Sequence, residues 1–432
     1  HPRLRQALEE TLGVIVFQEQ VLKVAHDLAG FTPGEGEQLR RALGNKRAEE
    51  AIAGFRARFI GGARANGVPE HVARQVFEQL QAFGGFSFAK SHAAAFAVLS
   101  YQSAWLRRYH PAAFFAALLR HQPMGFYPPH VIIAEARRYG VEIRGVDLHA
   151  SEIGATVEMS TPSTATVPAA MATSAAMATS AAMATPAVRA SPAARASPAA
   201  KAPLGNASHL GAIRLGLDTV KGLGAEACTA IVDARRRGAF QSLADLCRRT
   251  GLGRRAAEAL IMAGALDRWE QPRRQLLWEL QSALQTAKQA PNLELGARDE
   301  PAFAALPRHE RLWLEQAYTG ATASAHITDL VARQLRQMGA TPSGRLSDWP
   351  DGTRIRIGGA VVARQQPPTA NGVAFLAVED VQGIVNVVLY PTTVEAYRRE
   401  IMARFMIVEG KIQRDGAAMN VVGNRILPLT VA

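Results

Sequence analysis

The stretch from Glu152 to Pro203 limits what this chain can fold into more than any other, because it cannot join a packed core. AAMATS occurs at Ala169 and Ala175, AAMATP at Ala181, and RASPAA at Arg189 and Arg195. The tract has no aromatic side chain, and its apolar bulk is too small to offset the chain entropy that ordering it would cost. A flexible coil of this length spans roughly 40 Å on average. The expectation is a low-complexity disordered linker, 152–203, joining halves that move independently.

The remainder of a 432-residue chain is long enough for two to four domains, each with its own core. Lys and Arg number 49 against 37 acids, a net charge of +12. Residues 1–151 carry 18 basic and 13 acidic side chains, residues 204–275 carry 12 and 7, and residues 345–432 carry 10 and 8. The first two excesses suit surfaces that meet a polyanion, and a generically basic protein is the bland alternative. Cys228 and Cys247 form no metal knuckle and no disulfide framework. No apolar run is long enough for a membrane span and no signal peptide is visible, so the simple reading is a cytoplasmic protein without a membrane partner. His1 opens in mid-pattern without a methionine, so the chain reads as a piece of a longer one.

Residues 1–151 read as mostly helical. Val21, Val24, Ala25 and Leu28 repeat at helical spacing up to Gly30, and Thr32-Pro33-Gly34-Glu35 is a capping-box start. The helix it opens carries Arg40 and Arg41, with Lys46 and Arg47 just past Gly44. Four cations beside a glycine break can grip a triphosphate bidentately, or form an ordinary solvated helix end. Helices are expected over Ala48–Ala65 and Pro69–Phe83. Farther on, GGFSFAKSHAAAFAVLSYQSAWLRRYHP, Gly84–Pro111, puts Lys90 and His92 beside a helix start that Ser91 can cap. That arrangement suits a phosphate, or simply a capped core helix with a solvated lysine.

LDTVKGLGAEACTAIVDARR, Leu217–Arg236, reads as helix, Gly-Leu-Gly turn, helix. Gly222 and Gly224 allow a tight turn whose N–H groups point at a phosphate, and Leu223 anchors it. Ala227, Ile231 and Ala234 form the packing stripe, with Lys221 and Arg235 as flanking cations. Gly251-Leu252-Gly253-Arg254-Arg255 looks like a degenerate second copy, which defines a tandem helix-hairpin-helix domain at 204–275. The alternative is a plain helical hairpin with a glycine turn. A helical connector follows at 276–344. QLLWEL at Gln275 is faintly like a sliding-clamp peptide but lacks the terminal aromatic, and a core helix is the plainer reading.

From Thr353 the period changes to two, with Arg354 and Arg356 on the solvent face. Strands are expected at Ala360–Arg364, Val373–Val378, Ile384–Tyr390, Phe405–Gln413 and Ala418–Val422, with a helix near Thr392–Met402. That order suits an OB barrel over 345–432. Tyr390 either stacks on bases beside the arginines or packs under the helix. The fold class expected is multidomain α+β.

The Gly84–Pro111 stretch, continuing to Leu119, resembles the fingers region of the bacterial C-family polymerases, the DNA polymerase III alpha subunit and its relatives. VIVFQEQVLKVA at Val14 and LRRALGNKR at Leu39 resemble the blocks just upstream, and GFYPPHVIIAEARRYGVEIRGVDLHAS at Gly125 is closer to the error-prone branch. The likeness covers residues 1–151 and 204–432, whereas the family does not need the low-complexity insert. It implies an error-prone, translesion DNA polymerase of replication and repair, with Arg40 and Arg41 facing the incoming nucleotide. Lys46, Lys90 and His92 complete the nucleotide set. DNA contacts fall to Lys221, Gly222, Leu223, Gly224, Arg235, Arg254, Arg255, Arg354, Arg356 and Tyr390. Partners implied are primer-template duplex, single-stranded template, deoxynucleoside triphosphates, and a sliding clamp or mutagenesis accessory proteins.

The family holds two Mg²⁺ ions with an Asp-x-Asp pair and a third Asp in a palm domain. This chain has no Asp-x-Asp, and its twelve aspartates are scattered singly. The expectation is that it holds no metal, has no catalytic residue and is inactive alone, the phosphoesterase-like and palm domains lying upstream. The other reading is a stand-alone, non-catalytic DNA-binding accessory protein. The reading frame 5′ of the His1 codon separates the two.

Overall fold

The computed structural model describes residues 1–44, 49–84, 88–125, 127–159, 211–288, 303–416 and 418–431. The chain divides into two compact units, His1–Trp105 and Leu106–Ala432.

The first unit is helical: α1 (Arg5–Leu8), α2 (Gln18–Ala29), α3 (Pro33–Leu43), α4 (Glu49–Ala65), α5 (Glu70–Gly84) and most of α6 (Lys90–Tyr109). In α2 the stripe Val21, Val24, Ala25 and Leu28 is fully buried, and Gly30 ends the helix at φ 67°. The capping box forms at α3: Thr32 Oγ1 accepts from Glu35 N, Glu35 accepts from Thr32 N at 2.8 Å, and Pro33 opens the helix. Phe31, Phe59 and Phe77 make the core, with ring centroids 6.0 and 5.5 Å apart along the series. Burying each ring is worth roughly 1.5–3 kcal/mol. A Cβ on Gly62 would lie 2.1 Å from the Ala29 carbonyl, so only glycine lets α4 pass the end of α2 this closely. Helix α6 begins at Lys90, so Ser91 lies inside the first turn and does not cap it as expected. The N–H of Lys90 is instead held by the Glu19 carboxylate at 3.0 and 3.1 Å.

The second unit begins with α7 (Pro111–Arg120) and α8 (Pro129–Arg138), then a small sheet of β1 (Ile143–Arg144), β2 (Thr156–Glu158) and β3 (Ala212–Arg214) in the order β1-β3-β2. Strands β2 and β3 are antiparallel, with Glu158 opposite Ala212. These strands stand at the two ends of the stretch expected to be a tether, most of which lies outside the described residues. The flanks of that stretch are therefore hydrogen-bonded neighbours within one unit. The compact units divide at Trp105/Leu106, and within the second unit one hydrophobic core runs from Ala112 through Ile213 to Ala283.

Helices α9 (Ala225–Arg236), α10 (Leu243–Thr250), α11 (Arg254–Ala263), α12 (Arg273–Lys288), α13 (Arg308–Thr319) and α14 (Ala332–Gln337) follow. Leu276 and Leu280 of the QLLWEL segment are buried in the core, which makes α12 a core helix. The chain ends in β4 (Arg354–Gln365), β5 (Ala374–Glu379), β6 (Ile384–Leu389), α15 (Pro391–Ala396), β7 (Phe405–Asp415) and β8 (Ala418–Leu429). These five strands close on themselves in the order β4-β5-β6-β8-β7, with β6 and β8 parallel and the other pairs antiparallel. The helix expected to reach Met402 stops at Ala396, and a separate turn spans Glu400–Met402.

Candidate nucleic-acid interface

Two glycine turns define the site. Gly222 has φ 88° and Gly251 φ 67°, backbone that a side chain would strain, and Leu223 and Leu252 anchor each turn in the core. Gly224 and Gly253 then cap α9 and α11, so no capping side chain covers the first N–H groups of either helix. Those bare helix starts attract anions. Sequence reasoning ranked the second copy as degenerate, yet it is the fuller of the two, with α10 leading into it. Before the first turn the chain forms only a 3₁₀ turn, Leu217–Thr219. Leu217 and Val220 are both buried, and strand β3 ends too close by for a longer helix to form.

A cavity of about 360 Å³ lies between the first turn and α11, lined by Lys221, Gly222, Arg255, Glu258, Ala317 and Tyr318. The expected cations take different places around it. Arg255 is exposed at this cavity, and Arg254 pairs with Glu258 at 2.7 Å. Lys221 Nζ donates to the Ala317 carbonyl at 2.7 Å, and its backbone N–H donates to Tyr318. Arg235 points elsewhere, to the carbonyls of Leu148 and Ser151 and to Glu152 at 2.6 Å. Its guanidinium braces the chain before β2. Sequence reasoning gave no role to α13, whose last carbonyls hold Lys221. The Ala317 and Lys221 sites are 96 residues apart, so no local pattern announced the contact.

In the first unit the expected nucleotide cations are met by carboxylates. Arg40 binds Glu37 through Nε at 2.8 Å and Nη2 at 2.7 Å, and Arg41 Nε binds the same carboxylate at 2.9 Å. Hydrogen bonds from Arg40 and then Arg41 pull the Glu37 carboxyl down to about 2. Lys90 pairs with Glu10, and His92 is exposed with its ring 4.5 Å from Phe96. Lys46 lies outside the described residues.

On the five-stranded sheet Arg354 and Arg356 face outward as expected. Arg356 is committed to Glu409 at 2.7 Å and to the Met338 carbonyl at 2.7 Å. Tyr390 is 49% exposed at the start of α15, outside the barrel core that Val385, Val387 and Leu389 enter. Trp349, also exposed, was not foreseen there.

The described residues contain no group of three or more His, Cys, Asp or Glu able to hold a metal ion, and no helix among them is long and apolar enough to cross a membrane.

Residues 1–67 match the bacterial DNA polymerase III alpha subunit finger domain, and residues 140–276 match a helix-hairpin-helix motif. The error-prone DNA polymerase of Mycolicibacterium paratuberculosis is 37% identical over 438 residues, 100% of this chain and 35% of that protein. That of Anaeromyxobacter sp. strain K is 35% identical over 433 residues, 99% of this chain and 34% of that protein. Asparaginyl-tRNA synthetase from Pyrococcus horikoshii is similar in structure over 19% of this chain and 21% of its own, at 24% identity and a TM-score of 0.17. The matched stretch is the carboxy-terminal portion of the polymerases, about a third of their length. Over its whole length, then, the chain is homologous to the carboxy-terminal portion of error-prone DNA polymerases.

Proposed function

We propose that the chain is the nucleotide- and DNA-gripping part of an error-prone DNA polymerase, serving replication and translesion repair in the cytoplasm. The observation that carries the reading is the cavity that brings Lys221 and Gly222 of the first glycine turn together with Arg255 of α11, the helix that the second glycine turn caps. Such a surface grips phosphates without reading bases, as a polymerase moving over any sequence requires. The closed sheet, with a helix between its third and fourth strands, we read as an OB fold that takes single-stranded template on Arg354, Arg356 and Tyr390. Arg235 we reassign from DNA contact to internal brace. In the first unit, Arg40, Arg41 and Lys90 reach a nucleoside triphosphate once it displaces Glu37 and Glu10, with His92 as a further member of the set.

Two Mg²⁺ ions supply charge stabilisation for phosphoryl transfer in polymerases. The described residues include no carboxylate cluster that fits them, so no chemical step is assigned to this chain. The test is binding of the 432-residue chain to a labelled primer-template junction, with nucleotides and Mg²⁺ added in a parallel extension assay. Salt-sensitive binding without primer extension is expected. Absence of binding at low salt overturns the DNA reading, and nucleotide incorporation overturns the assignment of chemistry elsewhere.

A further inference from the structure

Arg138, the last residue of α8, reaches from the helical part of the second unit into the barrel. Its side chain is 8% exposed, Nε donates to Glu135 Oε2 at 2.8 Å, and Nη2 donates to Glu379 Oε1 at 3.1 Å. Glu135 and Glu379 are 3% and 0% exposed, and Glu379 is the last residue of β5. One guanidinium thus joins a carboxylate of the helical body to a carboxylate of the barrel. Beyond Glu379, His326 Nε2 lies 4.0 Å from Oε2, and its ring is fixed because Nδ1 accepts from Thr328 N. The adjacent Arg137 donates to the carbonyls of Thr322, Ala323 and Ala325 at 2.6–2.9 Å, so α8 also holds the segment leading to the barrel.

An apolar seam tolerates sliding. A buried guanidinium between two carboxylates does not, because any tilt of the barrel strands a charge away from water. Glu135 Oε1, Arg138 Nη1, His326 Nε2 and Glu379 Oε2 are already buried without a hydrogen-bond partner among the described residues, so the cluster has little slack. The barrel and the glycine turns belong to this same unit.

We propose that Arg138 is a positioning residue that fixes the barrel's place on the helical body, and so sets the spacing between the hairpin surface and the barrel surface. That spacing makes the chain selective for a junction between duplex and single strand, an inference that rests on the DNA-binding reading above. A rigid spacing presents both surfaces to a junction at once, whereas a loosened barrel lowers the effective concentration of the second contact.

The test compares the parent chain with an Arg138→Met/Glu135→Gln/Glu379→Gln triple variant, which removes the charges and keeps most of the volume. Affinities for duplex, single strand and junction are measured alongside distances between spin labels at Glu226→Cys and Arg398→Cys. The single variant Glu379→Gln serves as a milder second case should the triple variant fail to fold. The expected result is a broadened distance distribution and junction affinity down by about tenfold, with duplex and single-strand affinities each within about twofold of the parent. A distribution as narrow as the parent's, or an undiminished junction preference with a broad one, overturns the role of Arg138. Parent chain that binds neither duplex nor single strand overturns the DNA reading instead, and the distance measurement still judges whether Arg138 fixes the barrel.

Discussion

Two regions gather cations at helix ends and treat them in opposite ways. In His1–Trp105, Arg40 and Arg41 share Glu37, Lys90 pairs with Glu10, and Glu19 covers the first N–H of α6. Around the glycine turns of the second unit, α9 and α11 start at bare glycines and Arg255 stands exposed beside them. A run of basic letters therefore measures charge, not its availability. An acid three or four positions earlier on the helix, as Glu37 is to Arg40 and Arg41, decides whether a phosphate finds a free cation.

The largest effect that sharpens the contrast is acid lability of the second unit. Burial, then Arg404, pushes His130 down to about 4; burial, then Arg137, Arg138 and His130, pushes His326 down to about 3. A depressed histidine contributes stability that is present above pH 6.5 and lost as pH falls toward those values. Glu379 acts in the opposite sense: burial raises it to about 7, so its contribution is present below pH 4.5 and lost as pH rises through 7. Two histidines against one carboxyl leave a net uptake of about one proton between pH 6.5 and 4.5, or about 1.4 kcal/mol per pH unit. Urea midpoints of residues 106–432 should fall across that range in the parent and stay nearly level in His326→Gln, where one histidine offsets one carboxyl. A level profile in the parent would show that the histidines are not buried as described.

Next in size is Gly222→Val. A β-branched residue at φ 88° costs about 1–3 kcal/mol and misaims the first turn. Thermal unfolding should register the loss, and duplex binding should weaken while single-strand binding holds. Unchanged duplex binding would remove the first turn from the interface.

The smallest effect comes from freeing the first unit's cations. Glu37→Gln releases Arg40 and Arg41 from an ionised partner, and triphosphate binding, followed by anisotropy of a labelled nucleotide, should rise a few-fold (about threefold for one added charge contact). A decrease would mean that Glu37 orients the arginines for the nucleotide.

What could be read in advance follows the range of the interactions. The capping box at Thr32, the stripe of α2, the glycine turns and the period-two strands are set by neighbours within a few residues, and all of them appear. The dividing line at Trp105 was not legible, because β2 and β3 pair across the low-complexity stretch and composition says nothing of pairing. Arg235 looked like a DNA contact because Glu152, its partner, is 83 residues away. Glu379 carried one weak signal, an acid ending the apolar run AFLAV, but Arg138 lies 241 residues from it.

The account stands on where duplex DNA is held. Fluorescence anisotropy of the full chain on a short duplex, titrated with salt, should show that Arg255→Ala weakens binding several-fold and lowers the salt slope by about 1, whereas Arg40→Ala leaves both unchanged. Arg40→Ala weakening duplex binding while Arg255→Ala does not would contradict it.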